Sequence, residues 1–247
     1  MNKKTILITG ASKGIGSAIA VEMAEHGIEL ILTWNTDQKG IKKTTRLVEK
    51  NGAKAHIFQL DIEDKNQLFS FCKTICSKHA PDILINNAAV AQRKDFLKLD
   101  FDDWNRVLSA NLIAPSIICK SFIPAMQKKG YGRIVNISSI GGQWGGIHQV
   151  HYAASKAGLI NLTRSLAKSY SKDGIVSTAI TPGIINTAMT KNTLGLNDDK
   201  KLIKDIPSGR LGTPEEVAKA VKYLCSDEAS YLSGTTLNIN GGVYFNT

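Results

Sequence analysis

The sequence predicts an α/β fold: a single-domain, doubly wound, seven-stranded parallel sheet with helices on both faces. Three observations predict it. Short runs rich in β-branched residues alternate with longer amphipathic stretches along the whole chain. The connections between them are short, and no repeat, low-complexity tract or linker divides the 247 residues. Apolar residues make up 43% and charged residues 21%, enough for one sizeable core,. One domain over residues 1–247 is expected.

Taken in order, residues 6–9 form an apolar strand that runs into a glycine-rich turn. A helix follows, with Ile15, Ile19, Ala20 and Met23 on one side,. The second strand, 28–34, is rich in β-branched and aromatic residues,. A polar helix over about 38–51 stops at Gly52, the usual residue just past a helix end,. Strand three is 55–60, and the helix after it carries Cys72. Strand four is 82–86. A long helical region covers about 101–129, where Pro115 and Pro124 are expected to bend or break it,. Strand five, 133–138, leads through a glycine-rich loop, 141–146, into a helix over roughly 152–172; strand six is 175–180. Residues 188–208 are polar and weakly periodic, the character of a mobile substrate flap. Thr213-Pro-Glu-Glu216 opens a helix with Thr at the N-cap, Pro at N1 and Glu at N3, and strand seven, 236–240, closes the sheet,.

Thr9-Gly-Ala-Ser-Lys-Gly-Ile-Gly16 joins the first strand to the first helix. Glycine lets the backbone turn sharply and lets a pyrophosphate approach where a Cβ would block it. The helix N-terminus adds free N–H groups and partial positive charge. The spacing of Gly10, Gly14 and Gly16 differs from GxGxxG. Tyr152 and Lys156 lie four apart on an expected helix and share a face,. An ammonium beside a phenol favours the phenolate, lowering a pKa of about 10 so that the hydroxyl exchanges its proton near neutral pH. Ser139 follows the fifth strand, at the carboxyl edge where open α/β sheets bind ligands,. There it is placed to hold a substrate carbonyl and the developing alkoxide. Strand alternation sends Ser138 to the opposite side, so only one serine faces the site.

With these residues in view, the chain resembles the short-chain dehydrogenase/reductase superfamily over nearly its whole length. TGxxxGIG at 9–16, Asn86-Asn-Ala-Ala89 for the family's NNAG, Asn111, Ser139 thirteen residues before Tyr152, Tyr152-x-x-x-Lys156, and Pro182-Gly183 followed by Thr187 stand in the family's order. The resemblance implies a Rossmann-type fold and NADP(H) as cofactor, with no metal. It makes Asn111, Ser139, Tyr152 and Lys156 catalytic, with Asn111 anchoring a water that relays protons from Lys156. It gives cofactor contacts to Gly10, Ser12, Lys13, Gly14, Ile15, Gly16, Asn35, Asp61, Ile62, Asn87, Ala88, Pro182, Gly183, Ile185 and Thr187, together with Tyr152 and Lys156.

The end of the second strand governs the choice of dinucleotide, because an acidic residue there binds the ribose diol and repels a 2′-phosphate. Trp34, Asn35 and Thr36 stand there, with no acid before Asp37. By resemblance Asn35 is the deciding position and Lys13 the base facing the 2′-phosphate, which implies NADPH. The alternative is a solvated Lys13 with Asp37 reaching back to the ribose. Asp61 by resemblance contacts the adenine ring; otherwise it caps the next helix.

Within the superfamily the nearest resemblance is to 3-oxoacyl-(acyl-carrier-protein) reductases, carried by HYAASKAGLI at 151–160, IPSGRLGTPEEVA at 206–218 and LNINGG at 237–242. It implies NADPH-dependent reduction of a 3-oxoacyl thioester to the 3-hydroxyacyl product, in fatty-acid or polyketide/aryl-polyene-type synthesis. It also implies an acidic acyl carrier protein as partner and a homotetramer. The alternative is a reductase of a small alcohol, sugar or xenobiotic ketone. Gly130 and Asp173 stand where carrier-docking bases are common, although Lys128, Lys129 and Lys172 adjoin; Ala89 replaces a glycine and Ser177 an asparagine. In the loop 143–149, Trp144 and His148 either line a pocket for a flat or conjugated acyl chain or serve packing and surface.

Composition bounds the remaining function classes. The formal charge of +10 and pI near 9.4 favour acidic partners,. The lysines are scattered and no nucleic-acid motif accompanies them, so no nucleic acid is expected. A regulator with vestigial catalytic residues is opposed by the intact Ser/Tyr/Lys set. Cys72, Cys76 and His79 fall at i, i+4, i+7, yet lie on an apolar stripe with Leu68, Phe71 and Ile75 that reads as core,. The start resembles no targeting segment, and no apolar run approaches the roughly 18–20 residues of a membrane span. A cytoplasmic enzyme is expected.

Overall fold

The computed structural model describes residues 4–78, 80–194 and 203–245. Alternation within one strand already sets two cores on either side of a sheet. In β1 (Lys4–Ile8), Ile6 and Ile8 pack into one apolar cluster while Leu7 packs into the other,. The same division continues through β2 (Ile28–Trp34), β3 (Lys54–Gln59), β4 (Ile83–Asn86), β5 (Gly132–Ile137), β6 (Ile175–Pro182) and β7 (Thr236–Ile239). The order is β3-β2-β1-β4-β5-β6-β7, with every neighbouring pair parallel. The chain therefore reverses its winding between β1 and β4, the switch point where such sheets bind ligands.

Helices α1 (Gly14–Glu22), α2 (Gln38–Lys50) and α9 (Pro214–Leu224) cover the face of Ile6 and Ile8, with Ile19, Ile41, Val48, Val217 and Val221 buried there. On the other face lie α3 (Lys65–Lys78), α5 (Ala114–Lys129) and α7 (Val150–Tyr170). Cys72 is buried in this layer beside Phe71 and Ile75, Cys76 Sγ donates to the Ser121 carbonyl, and His79 lies outside the described residues. Among the described residues no group of His, Cys, Asp and Glu is arranged to hold a metal.

Several expectations change. The region 101–129 is not broken at Pro124, which sits inside a continuous α5. The interruption lies earlier: α4 (Phe101–Leu108) passes through a π-turn, Ser109–Ile113, before α5 begins with Pro115 in its first turn, where a missing N–H costs nothing,. Within Phe101–Lys129 one 18-residue window is apolar enough to cross a membrane by length and composition, which the sequence reading did not expect; half of that window is buried, with Ile118, Phe122 and Met126 inside the core. The glycine loop contains a single helical turn, α6 (Gly141–Trp144), and α7 starts at Val150 rather than at Tyr152. Of the expected flap, 188–194 form α8 (Ala188–Leu194), and 195–202 lie outside the described residues.

Candidate active site

At the switch point, a cleft of about 340 Å³ opens between the carboxyl ends of β1, β2 and β4. Its floor is the turn after β1. Gly10 adopts φ +68°, and a Cβ there would lie 2.9 Å from the Ala88 backbone. A Cβ on Gly16 would lie 2.2 Å from the Gly10 carbonyl, so the turn closes onto α1 only without side chains,. Thr9 and Asn87 lock this geometry: Thr9 Oγ1 accepts from the Asn87 and Ala88 amides, and Asn87 Nδ2 donates to the Thr9 and Gly10 carbonyls. Thr33 Oγ1 receives the Gly10 amide.

The helix that follows has no side-chain cap, since Lys13 holds the N-cap position in an extended conformation. By contrast α4 and α9 carry complete capping boxes. First-turn N–H groups with no intrahelical partner thus face the cleft, a cradle suited to an anionic phosphate. Every residue expected to contact a cofactor lines this cleft, from Gly10, Ser12, Lys13, Gly14, Ile15 and Gly16 to Asn35, Asp61, Ile62, Asn87, Ala88, Pro182, Gly183, Ile185 and Thr187. Asp37 also lines the cleft, but its Oδ1 is engaged as the N-cap of α2, accepting the Gly40 amide. Asp61 is not the cap of α3. Its Oδ1 accepts the Glu63 amide, and Asp64 receives the Asn66 and Gln67 amides in that role.

Beyond the floor, Ser139, Tyr152 and Lys156 meet at the cleft's inner end. Lys156 is 3% exposed, and its Nζ donates to the Ile137 carbonyl at 2.8 Å, 5.7 Å from the centre of the Tyr152 ring. Gly141 N–H donates to Ser139 Oγ, and the Ser139 hydroxyl hydrogen-bonds the phenol. Ser138 also borders the cleft, but its hydroxyl donates to the Lys156 carbonyl, anchoring β5 to α7. The expected acidification of the phenol by its neighbour is absent from the protein alone. Burial pushes Tyr152 up, with the Ser139 hydrogen bond pulling the other way. Burial also pushes Lys156 down, to about 8, which weakens its charge as a partner,.

Asn111 is the one expected site residue that does not line the cleft. It is fully buried by the π-turn, its amide exchanging hydrogen bonds with the Val90 backbone and donating to Ser155 Oγ at 3.1 Å. Ser155 in turn donates to the Tyr152 carbonyl. Asn111 therefore ties the segment after β4 to α7, which carries Tyr152 and Lys156.

A full-length comparison narrows the chemistry. A family model described as enoyl-(acyl carrier protein) reductase matches residues 10–244. The 3-oxoacyl-[acyl-carrier-protein] reductase FabG of Buchnera aphidicola is 40% identical over 245 residues, covering 99% of this chain and 98% of the relative. The chain belongs to the short-chain dehydrogenase/reductase family. FabG of Aquifex aeolicus is 38% identical over 244 residues, covering 98% of this chain and 97% of its own. A Beutenbergia cavernae protein, described as an NAD(P)-dependent gluconate 5-dehydrogenase with NADP bound at low occupancy, superposes with a TM-score of 0.92. It is 33% identical and covers 98% of this chain and 97% of its own.

Sequence reasoning gave no role to several supporting residues, including two, Asn86 and His151, that stand inside the motifs it used. Asn86 turns inward and donates to Asn136, which donates to Thr163 on α7, a buried polar bridge between β4, β5 and the catalytic helix. His151, beside Tyr152, is fully buried against Gln92 and edge-on to Trp104. Gln92 donates to Asp103 through its amide nitrogen, so its oxygen accepts from His151 Nε2,. Polar residues scattered over 92–163 carry no spacing that marks them as one cluster.

Proposed function

We propose that the protein uses NADPH to reduce the ketone of a 3-oxoacyl thioester, presented by an acyl carrier protein, to the 3-hydroxyacyl product. One observation carries this reading: Ser139 and Tyr152 line both the dinucleotide cleft and a second cavity of about 570 Å³ on its far side. A ketone entering from that cavity meets the phenol and the serine hydroxyl where the nicotinamide end of a dinucleotide reaches. When bound, NADPH supplies a hydride to the carbonyl carbon. Ser139 holds the carbonyl oxygen, Tyr152 donates its proton as charge develops there, and Lys156, fixed by Ile137, supplies the neighbouring cation,.

The cofactor assignment rests on charge. Lys13 and Asn35 are exposed at the rim, and the first acid after β2, Asp37, caps α2 through its Oδ1, so a 2′-phosphate at this rim meets the Lys13 base. The second cavity favours an acyl thioester over a sugar acid. Among the described residues its lining has no charged side chain, and Ile140, Ile147, Ile184 and Met189 dominate it,. A gluconate-like carboxylate has no cation to meet there. Exposed Lys128 and Lys172 leave positive charge near the positions of Gly130 and Asp173, although Lys129 is taken up by Asp82 and Asp173 by Gln127. The same reading puts the enzyme in the cytoplasm as a homotetramer, with exposed apolar residues such as Phe101, Ile113 and Tyr231 covered by partner subunits.

Purified protein, NADPH and five substrates test the reading: acetoacetyl groups on carrier protein and on coenzyme A, a crotonyl thioester, 5-ketogluconate and a simple ketone. Turnover highest with carrier-bound acetoacetate is the expected result. Turnover confined to 5-ketogluconate or to the crotonyl thioester overturns it.

A further inference from the structure

One wall of the acyl cavity is a single large ring held in place from behind. Trp144 ends α6, whose turn is fixed by hydrogen bonds from Gly142 N to the Ser139 carbonyl and from Trp144 N to the Ile140 carbonyl. Gly142 rests directly on the catalytic helix, where a Cβ would come within 2.7 Å of the Lys156 carbonyl carbon. The indole is thus placed relative to Tyr152 by backbone packing. Behind it stands Tyr244, ring centroids 6.0 Å apart and planes at 77°, with its own carbonyl receiving Asn240 Nδ2. An edge-to-face contact engages at most one face of the indole. Trp144 remains 55% exposed and lines the cavity.

Bare backbone borders this ring. A Cβ on Gly145 would meet nothing within 4 Å, and one on Gly146 only atoms at 3.6 Å or beyond. The space alongside the indole is open, Ser139 and Tyr152 stand at the reacting end, and Gln149 and Thr190 are the other polar side chains of the lining. A saturated chain gains from such a wall only the burial that leucine would give, whereas a planar π-system gains ring pairing as well. His148, the other sequence candidate, does not line the cavity: it takes φ +58° and its Nδ1 lies 3.4 Å from Asp95.

We infer that this cavity selects a 3-oxoacyl group with a flat conjugated or aromatic segment next to the reacting ketone, laid against Trp144. The inference rests on the reading of the protein as a 3-oxoacyl reductase and names the substrate class within it.

The test compares acetoacetyl with 3-oxo-3-phenylpropanoyl substrates, each as an N-acetylcysteamine thioester and as an ethyl ester, with NADPH. The ratio of kcat/KM for phenyl over methyl is measured in the wild type, Trp144→Leu and Trp144→Phe, which cancels the intrinsic reactivity of each ketone. Trp144→Leu is expected to lower the ratio on the order of ten-fold, while Trp144→Phe keeps most of it. Titration with NADPH checks that the cleft is intact in each variant, since Trp144 does not line it. An unchanged ratio in Trp144→Leu overturns the inference. Inert thioesters with a Trp144-dependent ratio among the esters overturn the reading as a thioester reductase and leave the inference standing. If no ketone is reduced, both fall.

Discussion

The dinucleotide cleft and the acyl cavity meet at Tyr152, yet they are built by different means. The cleft is shaped by backbone. Its turn closes where a Cβ on Gly16 would stand 2.2 Å from a carbonyl, and buried Thr9 with half-buried Asn87 satisfies the amides and carbonyls around it. The cavity is shaped by side chains on a short turn with open space at Gly145 and a half-exposed Trp144. A ligand of fixed chemistry is met by atoms that no substitution can vary gently, and a ligand of variable chemistry by atoms that can change one at a time. Substitutions in the first region should therefore act as switches, and those in the second as graded adjustments of specificity.

The largest effect is expected where the regions join. Tyr152→Phe removes the phenol that lines both spaces beside Ser139, and kcat should fall by about 10³-fold or more with NADPH affinity retained,. Single-turnover rates and a fluorescence titration measure the two separately; appreciable turnover in this variant removes the mechanism. Next comes the switch within the cleft. Gly16→Val drives side-chain atoms into the Gly10 carbonyl and Asn87 Nδ2, and NADPH affinity should drop by about 100-fold, a loss of about 3 kcal/mol,. A Kd within a few-fold of wild type would show that the turn yields, and the contrast between the two regions would collapse. A smaller shift is expected at the rim. Asn35→Asp places a carboxylate where a 2′-phosphate sits, which should lower the NADPH-to-NADH ratio of kcat/KM by roughly 10–100-fold through like-charge repulsion,. An unchanged ratio would mean that Asn35 lies off the path of the phosphate.

The same contrast explains what could be read from the sequence. The seven parallel strands were legible from alternating strand and helix patterns, and the turn that floors the cleft was legible because backbone-shaped sites need glycine at fixed spacing after a strand, as at Gly10, Gly14 and Gly16. Ser139 was legible from its place after the fifth strand, thirteen residues before Tyr152, and Ser138 is turned into a bond with the Lys156 carbonyl. Asn111 was legible as a motif position, but its tie to Val90 and Ser155 depends on a π-turn that no local propensity encodes. Pro124 misled because a proline inside a packed helix is tolerated when the core holds both flanks, here Ile123 and Met126. The acid–base balance of Tyr152 and Lys156 was misjudged for a physical reason. Spacing reports that two groups are neighbours, but not that both are buried, and here burial outweighs their attraction,.

That burial yields the smallest of the expected effects, at the point both regions share. Lys156 gives up its proton near pH 8 in the folded protein and near its ordinary 10.5 in the unfolded chain. Between those values the unfolded state holds more protons, so raising the pH favours the fold, and the cost of burying the ammonium is relieved. Lys156→Met keeps the volume and removes the titration. Without cofactor, the stability of wild type relative to Lys156→Met should rise by up to about 2 kcal/mol between pH 8 and pH 9.5. Tyr152, held above its ordinary value of 10, stays protonated across this window in both proteins. Urea midpoints at a series of pH values measure the difference. Parallel curves would mean that Lys156 keeps its charge at no cost, and that the floor of the site is wetter and more polar than its packing around Ile137 implies.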